Sequence, residues 1–152
     1  MSGEQFAAML ESRLPRTSIP QFGGFYFNNG SWWQDAATLT APNQKRIRVL
    51  FESVDPHQHA LPTSTQIGLL RQIEQRLPGL WPQIERSFQD YLREMTDSGQ
   101  FENSQEWEIS VGEDPSDGEH EWTISFKLPG GDASWYQRVY RNFEADVTHG
   151  TY

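Results

Sequence analysis

Apolar and polar positions along this chain keep two different periods. From Leu61 to Asp97 the apolar residues return at steps of three and four. Ile67, Leu70, Ile73 and Leu77 form one set; Trp81, Ile84, Phe88, Tyr91 and Met95 form the next. That spacing puts each set on one helical face. Elsewhere the period is two. Ile47, Val49 and Phe51 alternate with Arg46, Arg48 and Glu52, leaving Leu50 as an exception on the polar side. Trp107, Ile109 and Val111 alternate with Glu106, Glu108 and Ser110, and Trp122, Ile124, Phe126 and Leu128 with Glu121, Thr123, Ser125 and Lys127. Each run predicts a strand with one face buried.

Punctuation then divides the runs. Thr63 and Gln66 stand at capping-box spacing just after Pro62, which marks a helix start. Pro78-Gly79 predicts a break, and Pro82 a restart as a first-turn proline, so the stretch reads as two consecutive helices. Asn28-Asn29-Gly30 between Phe25-Tyr26-Phe27 and Ser31-Trp32-Trp33 predicts a tight hairpin. Ala41-Pro42-Asn43 is a second turn, and one last strand is expected from about Tyr136 to Val147. Ser2 and Gln5 open a short N-terminal helix reaching Leu14, followed by an extended connector between Pro15 and Pro20. The predicted order is β-β-β-α-α-β-β-β. The expected class is α+β, with residues 1–152 as a single domain. Its architecture would be a single antiparallel sheet of about five to six strands with a central helix pair packed on one face.

Composition sharpens this in two ways. Only 36% of the 152 residues are apolar, yet six Trp, five Tyr and nine Phe can fill a core from few positions. Cysteine is absent, which excludes a disulfide framework, a thiol nucleophile and thiolate metal sites. The first residues show neither a basic n-region nor an apolar h-region, and no apolar run approaches the roughly 18 residues of a membrane span. A cytoplasmic protein with no membrane partner is the expectation.

The net charge of −9 is unevenly placed. From residue 98 onward, eleven acids face only Lys127, Arg138 and Arg141, a net −8. Such a field repels nucleic acid and attracts a basic partner.

Catalytic chemistry is sparse. Asp55-Pro56-His57-Gln58-His59 is the best metal candidate, because histidines two apart project to one side of an extended chain; a further ligand would have to be His120 or His149. The loop GEDPSDGEH fails as a calcium loop: with Gly118 at the sixth position, Pro115 and Ile124 fall where acidic ligands belong. Glu106, Glu108 and Glu121 occupy the outward positions of amphipathic strands. No nucleophile elbow, phosphate loop or Ser-His-Asp set is present. The expectation is therefore no catalytic residue and no cofactor. The adjacent aromatics Trp32-Trp33 and Trp135-Tyr136 are informative, since neighbours in a strand point to opposite faces. One of each pair could serve as an interface anchor. Candidate partner-binding residues are thus Trp33 and Tyr136, with Glu113, Asp114, Asp117 and Glu119 in the acidic loop.

The Trp32-Trp33 strand, the Pro42-Asn43 turn, the amphipathic strand after it and the Leu61-Pro62-Thr63-x-x-Gln66 helix start form one pattern. With a helix ending near Phe88-x-x-Tyr91 and the later strand Trp122 to Phe126, it resembles small bacterial α+β domains of uncharacterised function. Some of these look like immunity proteins of polymorphic or contact-delivered toxin systems. The resemblance implies a cytoplasmic, non-catalytic inhibitor that occludes a cognate, basic toxin domain. Two alternatives come from the residues themselves: a metal-dependent enzyme using the His57/His59 loop, and a carbohydrate-binding module using the paired Trp32 and Trp33.

Overall fold

The computed structural model describes residues 2–5, 13–95, 107–113, 120–127 and 135–149. Its centre is one helix, α1 (Ser64–Met95), 32 residues and about 48 Å long. The two expected helices are therefore one. Pro78 and Pro82 lie inside it, both exposed. A proline removes one backbone bond and crowds the carbonyl four residues back, but on the solvent side water can take the freed carbonyl. The buried stripe meanwhile runs through without losing phase: Leu70, Ile73, Leu77, Trp81, Ile84 and Phe88 are each at most 3% exposed. Continuous packing on one face outweighs two breakers on the other.

Among the described residues nine strands form one mixed sheet: β1 (Arg16–Ile19), β2 (Gly23–Asn28), β3 (Ser31–Gln34), β4 (Leu39–Thr40), β5 (Arg46–Glu52), β6 (Trp107–Val111), β7 (Glu121–Lys127), β8 (Trp135–Arg141) and β9 (Glu144–His149). The spatial order is β1-β2-β3-β5-β6-β7-β8-β9, with β4 against β5. This corrects the expected five or six antiparallel strands in three ways. The Pro15–Pro20 connector is a strand, β1. The run from Tyr136 to Val147 is two strands, because Asn142, in the left-handed region at φ 52°, turns the chain between Arg141 and Glu144. And β5 pairs with β6 in parallel, joining two antiparallel halves at the middle of the sheet.

The β2–β3 hairpin forms as the sequence predicts. Asn28 pairs with Ser31, and Asn29 and Gly30 both take positive φ, as a two-residue turn of this hand requires. β3 and β4 share one edge of β5, separated by an excursion over residues 35–38. The buried Gln34 fills that gap. Its Oε1 accepts from the Val49 N–H at 3.0 Å, and its Nε2 donates to Phe22 O and Thr38 Oγ1. A side-chain amide thus replaces the missing backbone partner, leaving no buried donor unpaired there.

Alternation gives the sheet two faces. One row crosses beneath the helix: Phe27, Trp32, Phe51, Val111, Trp122 and Tyr140. Further along, Phe88 of α1 meets Phe126 and Tyr136 edge-on, both with centroids 4.7 Å away, and Trp107 at 5.3 Å. Burying rings of this size supplies most of the driving force. The other face presents Tyr26, Trp33, Leu50, Ser110, Thr123 and Val139 in a row. Leu50, the exception in its strand's alternation, is on this second face yet only 6% exposed.

Candidate functional site

The second sheet face carries the functional candidates in three rows, about 7 Å apart along the strands. At one end stand Ser31, Glu52 and Glu121. Then come Tyr26, Trp33 and Leu50. Beyond them lie Arg48 and Glu108, which are partners across the parallel pair.

The end row is acidic. Glu113 follows β6, and its backbone N–H donates to the Glu52 carboxylate. Burial first, then repulsion from Glu113 and Glu121, pushes the Glu52 carboxyl above its usual range, against which the Glu113 N–H acts more weakly. The close approach depends on Gly112. Its N–H donates to Glu121 O at 3.0 Å, and a Cβ built there would stand 2.9 Å from that oxygen.

The middle is aromatic. Trp33 is half-buried, with its indole N–H bonded to Asn28 O at 2.9 Å. The Arg48 guanidinium lies 5.6 Å from the Trp33 ring and 5.7 Å from the Tyr26 ring. Its Nε donates to Gln34 O at 2.8 Å and its Nη2 to the Tyr26 hydroxyl at 2.6 Å. Beside this group Arg16 and Asp35 form an exposed ion pair at 2.9 Å.

Of the residues singled out by sequence, Trp33 and Glu113 belong to this face. Asp114, Asp117 and Glu119 lie outside the described residues. Tyr136 does not belong: it is 1% exposed beneath α1, held by Phe88 and Phe126, so it cannot be a surface anchor. Trp32 is likewise on the helix side, with its Nε1 on Ala60 O, so the two adjacent tryptophans do not make one stacking platform. His57 sits in a short 3₁₀ turn (Pro56–Gln58), and the His59 ring packs on Phe27 at 4.5 Å. Among the described residues no three His, Cys, Asp or Glu side chains come together as metal ligands. His120 is buried, with Nε2 2.8 Å from Gly112 O.

Sequence reasoning missed Tyr26, Arg48 and Glu52. Arg48 and Glu52 were legible only as the polar side of β5, and no local signal places Tyr26 across from Trp33.

The fold defines an α+β domain with one helix laid across one face of a mixed sheet and the other face carrying the polar and aromatic candidates. No protein-family model, no curated protein and no solved structure matches the chain. Among the described residues no helix is long and apolar enough to cross a membrane.

Proposed function

We propose that this chain is a non-catalytic, cytoplasmic binding protein: an immunity-type inhibitor that occludes a basic toxin domain. The observation that carries the reading is the acidic end row. Burial raises the Glu52 pKa most, and the nearby carboxylates of Glu113, at the end of β6, and Glu121, on β7, raise it further, a repulsion that costs the free fold. A cationic partner surface would relieve it, and the same field would speed encounter. Trp33, half-buried on the adjacent row, supplies an aromatic anchor. Asp114, Asp117 and Glu119 follow Glu113 in the sequence and add to the negative charge of the chain. The chain net charge of −9 favours the same kind of partner.

The test is association with the toxin domain encoded beside this gene. A complex whose association rate falls with added salt, and falls again on Glu113→Lys, is expected. No complex, or a complex indifferent to both, would sink the reading.

A further inference from the structure

Arg48 is built as a clamp rather than as a surface charge. A guanidinium has two donor edges. The edge with Nε is fully used, by Gln34 O and the Tyr26 hydroxyl. Gln34 is itself fixed by four hydrogen bonds, to Phe22, Thr38, Val49 and Arg48. The rings of Tyr26 and Trp33 lie beside the guanidinium, and Trp33 is held by Asn28 O. For the outer edge, with Nη1, the described residues provide no acceptor. An arginine whose rotamer is already fixed loses little freedom on taking a ligand, and its outer edge matches a planar two-oxygen acceptor.

We propose that Arg48, flanked by Tyr26 and Trp33, captures a carboxylate side chain of a protein partner. The carboxylate is favoured over a polyanion by charge. Glu108 stands next to Arg48 across the parallel pair, the acidic row begins about 13 Å away along β5, and the chain carries −9. Nucleic acid or an anionic membrane would meet that whole field; a single Asp or Glu meets Glu108 beside the clamp, while the basic partner surface that carries it faces the acidic row. The inference rests on the binding reading above and adds to it the chemistry of one contact: a partner should set a carboxylate beside an apolar residue that covers Trp33.

A phage-displayed library of random 12-residue peptides, panned on the full chain, tests this. Enriched peptides should share an Asp or Glu next to an aromatic or aliphatic residue. Replacing that acid by Asn or Gln should weaken binding roughly tenfold, the scale of a lost charge-assisted bond. Arg48→Lys should do the same, and Tyr26→Phe, which keeps the ring but frees Nη2, should weaken binding less. Near-UV circular dichroism checks that each variant is folded. Should Arg48→Lys not fold, Tyr26→Phe and the acid-replaced peptides decide. Peptides enriched without an acid, equal binding to the variants, or no enriched peptide would each overturn the clamp. Capture of peptides without toxin association would leave the clamp and remove the inhibitor reading; the converse would do the opposite.

Discussion

The side chain of Gln66 donates to Gly112 O at 2.9 Å across 46 residues of sequence. The same Nε2 donates to Glu52 O at 2.8 Å, so one amide ties together the ends of the parallel strands β5 and β6. Its Oε1 accepts from the Thr63 N–H, and the Gln66 N–H donates to Thr63 Oγ1, closing the capping box of α1. Helix start and sheet centre are thus fixed by one buried residue.

Gln66→Ala should therefore cost more than an ordinary cap. It strands the Thr63 N–H, removes a donor from two strand-end carbonyls and leaves a cavity. A loss of about 2–4 kcal/mol is expected in urea denaturation. Thr63→Ala removes the cap acceptor and should cost about 1 kcal/mol. Equal losses for the two would contradict the bridging role.

At Gly112 the limit is space. A methyl group would press on a backbone oxygen, Glu121 O, that is held in the hairpin ladder. Gly112→Ala is expected to destabilise by about 1–3 kcal/mol. A neutral result in thermal unfolding would mean that the hairpin end yields more easily than its hydrogen bonds imply.

The acidic row gives a pH signature. The Glu52 carboxyl has a folded pKa above its unfolded value, so the folded state binds that proton more tightly. Stability is therefore lost as pH rises from the ordinary carboxylate range through the raised value, and the cost is complete only above that raised value. Glu52→Gln should stabilise at pH 7, modestly because water screens this partly exposed group, and the gain should vanish below the usual carboxylate pKa. Parallel melting curves from pH 4 to 7 check this; a gain that grows toward low pH would have the wrong sign.

The prolines of α1 offer a test of helix continuity. If Pro78 sits within one helix, Pro78→Ala restores a backbone bond and should stabilise by about 1–2 kcal/mol, after the entropy regained by the unfolded chain is subtracted. A proline in a true inter-helix turn would give a loss instead.

That residue also explains which part of the architecture was readable. Strand faces were, because Ile47, Val49, Phe51, Trp107, Ile109 and Trp122 each obey a period of two, and burial follows it. Both capping boxes were: Ser2 and Gln5 exchange bonds at 3.0 and 3.1 Å, as do Thr63 and Gln66. The topology was not, and one error hid the parallel seam at its centre. Two antiparallel helices return the chain to the end it left, making the next strand antiparallel; one unbroken helix delivers it to the opposite end, making β6 parallel to β5. Local breaker chemistry at Pro78-Gly79 gave no measure of the packing that overrides it. The candidate face was legible only in Trp33 and Glu113. Arg48 acquires its setting from Tyr26, 22 residues earlier, and from the interruption of β3 at Gln34, neither of which has a sequence period.

The central β5–β6 seam has a kinetic consequence. On each side of it, successive strands meet through short local connections, whereas Val49 and Ile109 must find each other across the whole of α1. Closing so long a loop is entropically the most demanding step, so the two flanking meanders should gain structure before the sheet is stitched at its middle. Truncations at Val49 and Ile109 should then mainly accelerate unfolding, while those at Phe25 and Ile124 slow folding; φ-values near one along the seam would reverse that order.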